Sequence, residues 1–205
     1  MNDKILDWAM KIQSIAQAGL TYGKNVFDRE RYEQLRTISA EMLSWRTDIP
    51  IGKIRDIFCG ETGYQTPKTD TRAAVFKNGK ILLVHEKNGT WSLPGGWCDA
   101  DMSVASNTEK EVKEEAGLDV KAERLIAVQD WRRHNVQNYA FGVIKIFVLC
   151  ELVGGEFCEN TETTGSRYFG KDELPTELAN EKNTAEQIRM CFDACENPQW
   201  KVLFE

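Results

Sequence analysis

Residues 93–120 read LPGGWCDADMSVASNTEKEVKEEAGLDV, and this stretch decides how the rest of the chain is interpreted. Its second half predicts a helix that begins near Ser103, a residue type that caps helix N-termini, and ends at Gly117, a residue type that stops helices. Before the helix, Gly95 and Gly96 predict a turn in which the backbone can approach a ligand closely. The stretch therefore combines a glycine turn with a short, strongly charged helix.

Three glutamates of this helix are spaced so that they share one face. Glu111, Glu114 and Glu115 stand at positions i, i+3 and i+4, which fall within a narrow arc at about 100° per residue. Such charge runs are usually a solvated helix surface, and the pair Glu109–Lys113 fits that interpretation. Three like charges also repel one another, however, and a divalent cation with oxygen ligands would relieve the repulsion. The spacing alone is compatible with both interpretations.

Residues 1–60 predict a small helical domain. Apolar residues recur there at three- and four-residue steps, the spacing of one helix face. The apolar positions of the three predicted helices are Ile5, Trp8, Ala9, Ile12, Ile15 and Ala16; then Tyr32, Leu35, Ile38, Met42 and Leu43; then Ile54, Ile57 and Phe58. Residues 61–69, with Gly63 and Pro67, predict a linker. Because helices with one apolar face bury little surface alone, we expect this domain to dock on the rest of the chain or on a second subunit.

Residues 70–205 change to a pattern of strands that is followed by a helix. Asn78-Gly79 lies between two apolar runs, which is a strong hairpin signal. Strands are predicted at Arg72–Phe76, Ile81–Val84, Leu125–Asp130, Val143–Leu152 and Arg167–Phe169, and a helix at Ala185–Cys195. The run from Val143 to Leu152 is almost wholly apolar, which suits a strand covered on both faces.

The composition excludes several classes of protein. The chain has 205 residues, of which 41% are hydrophobic and 28% charged, a balance typical of soluble globular proteins. It has neither an apolar run long enough to span a membrane nor the apolar core of a signal peptide near its start, so we expect a cytoplasmic protein. The net charge of −6 argues against a large duplex-DNA footprint, but not against a small anionic substrate held with a metal. The six cysteines form no CxxC pair and are expected to be reduced.

The glycine turn and the helix together resemble the Nudix box. The pattern of that family is Gly, five residues, Glu, seven residues, Arg-Glu, an aliphatic residue, any residue, Glu-Glu, any residue, Gly and an aliphatic residue. Gly96 takes the first place, and residues 110–118 take the second half in register, so that the match spans 23 residues. Met102 stands where the pattern has its first Glu, and Lys110 stands where it has Arg. The resemblance implies that these two positions shape the loop and the start of the helix, while the later glutamates hold the metal.

The resemblance also implies a fold and a chemistry. The expected fold is α+β: a mixed β-sheet sandwiched between helices, preceded by the small N-terminal helical domain. The expected activity is hydrolysis of a diphosphate with Mg²⁺, or with Mn²⁺ in its place. Glu111 and Glu115 would ligate the metal together with the backbone carbonyl of Gly95, and Glu114 would hold a water on the metal or act as the base.

Nudix hydrolases usually add one more acid from a loop before a late strand. Glu162, within NTETTGSRYF, is placed for this role, and Glu159 is a weaker choice. The alternative interpretation of Glu162 is an ordinary exposed acid of a loop.

Features outside the box resemble one Nudix subgroup. The helical domain, the segments GYQTPKTDTRAAVF and LPGGWCD, and the ending ELPTELANEKNTAEQI are similar to CDP-choline pyrophosphatase-like proteins, which are often grouped with ADP-ribose pyrophosphatases. This implies a homodimer that hydrolyses CDP-choline to CMP and phosphocholine, with ADP-ribose as the alternative substrate. Trimming of single-stranded RNA from its 3′ end is a second candidate activity. The departures at Met102 and Lys110 leave a non-catalytic nucleotide sensor as a third hypothesis.

Several residues are candidate substrate contacts. A quaternary ammonium favours aromatic faces, and the aromatic residues in predicted segments near the box are Tyr64, Trp91, Trp97, Trp131 and Tyr139. Arg72 is a candidate for binding phosphate, and Gly96 for a close approach of the backbone to the substrate. The alternative for each aromatic residue is core packing, and the alternative for Arg72 is ordinary surface charge.

Overall fold

The computed structural model describes residues 4–136, 141–158 and 160–205, with the side chain of Ile57 excepted. The described chain divides into two compact units. Unit 1 consists of residues 4–67 and 141–142, and unit 2 consists of residues 68–136, 143–158 and 160–205. None of the helices in the described ranges is long and apolar enough to cross a membrane.

Unit 1 consists of three helices around a small core. The helices are α1 (Lys4–Tyr22), α2 (Val26–Thr47) and α3 (Ile51–Phe58). The N-terminus of α2 is capped by Asn25, whose side chain accepts hydrogen bonds from the N–H groups of Phe27 and Asp28, as is usual for this residue type. The core consists of Leu6, Ala9, Ala40, Leu43, Ile54 and Phe58. The predicted N-terminal helical domain is confirmed.

Unit 1 exposes large apolar side chains at helical spacing. Those on α1 are Trp8, Ile15 and Tyr22, and those on α2 are Phe27, Ile38 and Trp45. Each set follows one face of its helix, because residues 7 or 11 apart nearly eclipse one another. The apolar stripe predicted on the first helix is therefore split: Ala9 and Ala16 are buried, whereas Trp8 and Ile15 are exposed. We call these six exposed residues the apolar stripes of unit 1.

Unit 2 is built on one mixed β-sheet. Its strands are β1 (Lys68–Lys77), β2 (Lys80–Glu86), β3 (Trp91–Ser92), β4 (Leu118–Asp130), β5 (Val143–Gly155), β6 (Thr163–Phe169) and β7 (Leu203–Phe204), and its helices are α4 (Val104–Ala116), α5 (Trp131–His134) and α6 (Ala185–Glu196). The strand order is β3-β2-β1-β5-β4-β7, with β6 beside β2. The pairs β1–β5 and β4–β7 are parallel and the other described pairs are antiparallel. The predicted hairpin is present, with Asn78 and Gly79 both at positive φ.

Helices cover both faces of this sheet. One core contains Ala73, Val75, Leu82 and Val84 of the sheet with Val112 and Ala116 of α4. A second core contains Ala74, Ile81 and Leu83 with Ile188, Cys191 and Phe192 of α6. Because neighbouring side chains of a strand point to opposite faces, α4 and α6 lie on opposite sides of the sheet. The predicted α+β fold, a mixed sheet sandwiched between helices, is confirmed.

Candidate active site

The glycine turn runs antiparallel beside the start of β1. Three backbone hydrogen bonds join the two segments, from the N–H of Thr71 to Gly96 O (2.9 Å), from Ala73 to Pro94 O (2.8 Å) and from Cys98 to Thr69 O (2.8 Å). The path of the turn is thus fixed by main-chain atoms, whatever side chains it carries.

The two glycines of the turn make close contacts of different kinds, with backbone at Gly95 and with a side chain at Gly96. Gly95 has φ of +146°, and a Cβ atom there would lie 1.9 Å from the carbonyl oxygen of Thr71. A Cβ atom on Gly96 would lie 2.6 Å from Oε2 of Glu111. The backbone of the turn therefore lies directly against β1 on one side and against a carboxylate of α4 on the other.

Helix α4 begins and ends at the predicted residues. The hydroxyl of Ser103 accepts a hydrogen bond from the N–H of Ser106, and Gly117 adopts a left-handed conformation with φ of +70°. These caps define the ends of the helix. Its packing against the sheet through Val112 and Ala116 divides its glutamates between two environments. Glu111 and Glu115 are buried against the turn, whereas the side chain of Glu114 is 57% exposed.

Glu115 is a buried carboxylate that contacts the glycine turn. Its side chain is 3% exposed, and its Oε2 accepts a hydrogen bond of 2.9 Å from the N–H of Gly95. Burial raises the pKa of Glu115 to about 7, against the opposing effects of Arg72 and of the hydrogen bond from Gly95. Among the described residues, no Lys or Arg forms an ion pair with this carboxylate. The ionised form of Glu115 is therefore desolvated and lacks a direct counter-ion among the described residues, which is costly unless a cation binds.

Glu111 and Glu114 share a lysine. Nζ of Lys110 lies 3.3 Å from Oε1 of Glu111 and 3.6 Å from Oε2 of Glu114. Burial raises the pKa of Glu111, and the hydrogen bond from Lys110 opposes that rise. The ammonium relieves part of the repulsion that the spacing of the three glutamates predicts.

Asp99 forms an ion pair with Lys110, although the family pattern has its acid at the position of Met102. Nζ of Lys110 donates to Oδ2 of Asp99 at 2.8 Å, and Met102 lies one turn further on, with its N–H bonded to Asp99 O. An acid–base pair thus still joins the loop to the helix, although neither partner is the residue that the family pattern specifies. The family pattern does not reveal Asp99, because this partner of Lys110 lies three residues before the position at which the pattern has its first Glu.

Asn107 is a second residue that the sequence analysis missed. It is fully buried, its Oδ1 accepts from the N–H of Asp99 at 3.1 Å, and its Nδ2 donates to Oγ1 of Thr71 at 2.9 Å. One amide side chain therefore fixes the loop, β1 and α4 relative to one another.

Arg72 lies inside unit 2, where its charge is already paired. It is 4% exposed, its Nε and Nη2 donate to Asp70 at 3.1 and 2.6 Å, and its Nη1 donates to Leu93 O at 3.2 Å. Lys145, whose pKa burial lowers to about 8, also donates to Asp70, at 2.7 Å. The guanidinium thus supports the start of the glycine turn, and this position does not favour the phosphate contact predicted for it.

The loop that carries Glu162 is bonded to the C-terminal end of α4. Oγ1 of Thr163 and Nδ2 of Asn160 donate to the backbone carbonyl of Glu115 at 2.6 and 3.2 Å. The side chain of Glu162 is exposed, and its N–H donates to Oδ1 of Asn160. Glu162 thus lies on a loop that is hydrogen-bonded to the C-terminal end of α4, and its role as a further acid stays a prediction. Glu159, the weaker choice, lies outside the described residues.

The candidate aromatic residues occupy different environments. Trp131 is fully buried, whereas Trp97, within the turn, is 42% exposed. Trp91 packs against His85 and Phe169, with ring centroids at 4.7 and 5.0 Å. Tyr64 is exposed and belongs to unit 1, and Tyr139 lies outside the described residues. Core packing accounts for Trp91 and Trp131, so Trp97 is the exposed candidate among the described aromatic residues of unit 2.

The two buried glutamates fit a hard cation in their chemistry. Both offer carboxylate oxygens, the ligands that Mg²⁺ prefers, and Glu115 has a desolvated charge to be neutralised. Within residues 4–136, 141–158 and 160–205, no three His, Cys, Asp or Glu side chains lie close enough together to form a metal site by themselves. A cation here would accordingly take the remaining positions of its coordination shell from backbone, water or substrate, as Mg²⁺ commonly does.

Comparison with known families agrees with this fold. Residues 67–190 match the NUDIX domain, and residues 3–58 match a domain described as UDP-X-like, N-terminal oligomerisation domain. The first match covers more than half of the chain, and the chain therefore belongs to the Nudix family. It is a Nudix pyrophosphohydrolase, which confirms the enzyme interpretation over the non-catalytic sensor.

Three relatives are similar over most of the chain. YjhB of Bacillus subtilis (strain 168), named as a candidate ADP-ribose pyrophosphatase, is 43% identical over 203 residues, which cover 98% of this chain and 97% of YjhB. The crystal structure of an ADP-ribose pyrophosphatase from Streptococcus suis is 53% identical, with a TM-score of 0.64, and covers 68% of this chain and all of its own. The crystal structure of a UDP-X diphosphatase is 33% identical, with a TM-score of 0.64, and covers 98% of each chain.

Proposed function

We propose that the protein hydrolyses the diphosphate of a nucleoside diphosphate linked to another group, with ADP-ribose ahead of CDP-choline. The observation that carries the chemistry is the pair of buried carboxylates, Glu111 and Glu115, against the glycine turn. The names of relatives that cover most of the chain support the substrate. Those names refer to ADP-ribose and to a UDP derivative, and they favour the alternative substrate of the sequence analysis over its first choice.

The proposal includes a divalent cation, Mg²⁺ or Mn²⁺, held by Glu111 and Glu115 with the carbonyl of Gly95. When bound, such an ion screens the charge of the diphosphate oxygens and makes a water a better nucleophile. The absence of side chains at Gly95 and Gly96 lets the backbone come close to this charge. These groups are fixed before substrate arrives, so that little reorganisation accompanies the reaction.

A carboxylate is also needed to take the proton of the attacking water. Glu114 suits this task, because it lies on the same helix face as the two buried glutamates but remains exposed. Glu162 is the alternative base, on its exposed loop. In either position the carboxylate gains the proton as the new bond to phosphorus forms.

The substrate proposal predicts a ranking. With Mg²⁺ present, kcat/KM for ADP-ribose is expected to exceed that for CDP-choline by at least about tenfold, a difference that a few polar contacts to one leaving group supply. Chromatography of AMP and CMP release from ADP-ribose, UDP-glucose and CDP-choline measures it, with UMP as the product of the UDP sugar. Preference for CDP-choline would contradict the proposal, and shortening of single-stranded RNA would support the exonuclease alternative instead.

We further propose that the protein is a homodimer formed through unit 1. The apolar stripes of unit 1 expose six large side chains on two helices, and exposed apolar patches of this kind mark association surfaces. The description of the matching N-terminal domain as an oligomerisation domain supports the same conclusion. A second copy of the chain is the partner that this surface fits.

Trp45→Glu is expected to weaken dimerisation by at least about thirtyfold, the effect of losing one aromatic anchor of an interface. Light scattering after size exclusion is expected to give twice the chain mass of 23.4 kDa for the wild-type protein and a concentration-dependent fall towards that mass for the variant. Glu33→Lys is the matched control, since Glu33 is exposed on α2 about a third of a turn from the stripe. A monomeric wild-type protein, or an unaffected Trp45→Glu dimer, would rule out this interface.

A further inference from the structure

Lys182 and Glu86 form a charged pair that the proposed function does not yet use. Nζ of Lys182 donates to Oε1 of Glu86, and the hydroxyl of Ser92 donates to the same oxygen at 2.6 Å. The side chain of Glu86 is 12% exposed and that of Lys182 is 27% exposed. The carboxylate is thus enclosed by the protein, whereas part of the lysine side chain still reaches solvent.

The backbone around Lys182 is fixed to the same parts of the fold as the glycine turn. Nζ of Lys145 donates to Lys182 O at 2.6 Å, and Oδ1 of Asn183 accepts from the N–H of Leu93 at 2.7 Å. Leu93 lies two residues before Gly95, whose N–H donates to Glu115. The position of Lys182 relative to Glu115 is therefore set by a short chain of buried hydrogen bonds.

The charges of the pair also act on the buried glutamate. Lys182 lowers the pKa of Glu115 and Glu86 raises it, although burial has the larger effect. An ammonium within electrostatic range of Glu115 is also within range of a diphosphate placed beside that carboxylate. Lysine suits such a task, because it is a flexible point charge that binds phosphate without a fixed geometry.

We propose that Lys182 is a substrate-binding cation of this site, held at rest by Glu86 and transferred to a phosphate oxygen when the diphosphate binds. The inference rests on the proposed function, since it requires an anionic substrate beside Glu115. Glu86 acts as a resting counter-ion: it keeps the ammonium in place before binding, and its own charge opposes the incoming anion.

Two substitutions that break the same ion pair separate this role from a structural one. Lys182→Met is expected to raise KM for the preferred substrate at least about tenfold, the effect of losing one charged hydrogen bond, with a smaller change in kcat. Lys182→Arg is expected to restore most of the loss. Glu86→Gln is expected to lower KM, because it releases the lysine and removes a charge that repels the substrate.

The outcome that would overturn the inference is an equal rise of KM in Lys182→Met and Glu86→Gln, or an unchanged KM in Lys182→Met. Thermal unfolding of each variant shows whether loss of the pair harms the fold itself. If the wild-type protein hydrolyses no nucleoside diphosphate, the proposed function fails, and stabilisation by ADP then tests Lys182 alone. In that assay the inference requires a weaker shift with ADP for Lys182→Met than for the wild-type protein.

Discussion

Glu115→Gln is expected to lower kcat by at least about a hundredfold, the scale of losing one preorganised electrostatic group. The amide can still accept the hydrogen bond from the N–H of Gly95, so the turn keeps its position. It cannot carry the negative charge that a divalent cation requires. Steady-state rates at saturating Mg²⁺ measure the effect, and a rate near that of the wild-type protein would remove Glu115 from the site.

The same substitution is expected to stabilise the metal-free protein at alkaline pH. The pKa of Glu115 is raised from 4.5 to about 7 in the folded state, so folding favours the protonated form. Stability is therefore lost as the pH rises from about 4.5 through 7 and changes little above that value. A shift of this size corresponds to roughly 1–3 kcal/mol once solvent relaxation is allowed for.

Urea unfolding in EDTA at pH 5 and pH 8 tests whether the stability of the wild-type protein falls, relative to Glu115→Gln, as the pH rises. The advantage of Glu115→Gln over the wild-type protein should be small at pH 5 and should grow to roughly 1–3 kcal/mol at pH 8. Glu114→Gln serves as the matched control, because that carboxylate lies on the same helix face but is exposed. A pH-independent difference for Glu115→Gln would mean that the buried carboxylate titrates normally.

Gly95→Ala is expected to destabilise the fold by about 3 kcal/mol or more and to reduce activity at least about a hundredfold. The new Cβ would lie 1.9 Å from Thr71 O, so the turn must move away from β1. That movement also withdraws the N–H that donates to Glu115. Urea unfolding and kcat for the preferred substrate measure the two effects.

Gly89→Ala is the matched control for this substitution. Gly89 also has positive φ, +88°, but a Cβ atom there would meet nothing within 4 Å. The control therefore introduces backbone strain of about 1 kcal/mol without a clash, and its activity should be close to that of the wild-type protein. Equal losses in the two variants would show that strain alone, and not contact with β1, makes glycine necessary at position 95.

The features that the sequence predicted best are those determined by neighbours along the chain. The caps of α4 at Ser103 and Gly117, the hairpin at Asn78-Gly79 and the late helix all depend on local residue types. The spacing of the glutamates predicts Glu111 and Glu115 on one helix face, and both are buried there. The split that leaves Glu114 exposed depends on how α4 is rotated against the sheet, which the spacing does not specify.

The features that were missed depend on contacts between distant residues. The sequence predicts Arg72 as a phosphate contact, with ordinary surface charge as the alternative, but its ion pair with Asp70 and its hydrogen bond to Leu93 O exist only once the turn lies beside β1. The exposure of Trp8 and Ile15 follows from the packing of α1 against α2, which one helix alone does not reveal. The sequence pattern also does not specify the substrate, since one fold can carry sites of different specificity.

The main-chain pairing of residues 94–98 with β1 bears on how this enzyme can diversify. The three hydrogen bonds of that pairing join backbone atoms, so replacing the side chain of Trp97 or Cys98 by another non-proline side chain leaves them in place. The side chains beside the proposed site can therefore change without displacing Gly95 and Gly96. Substitutions at these two positions can thus change the substrate contacts of the proposed site while Glu111 and Glu115 stay in place. Homologues are expected to vary more at these two positions than at Gly95 or Gly96.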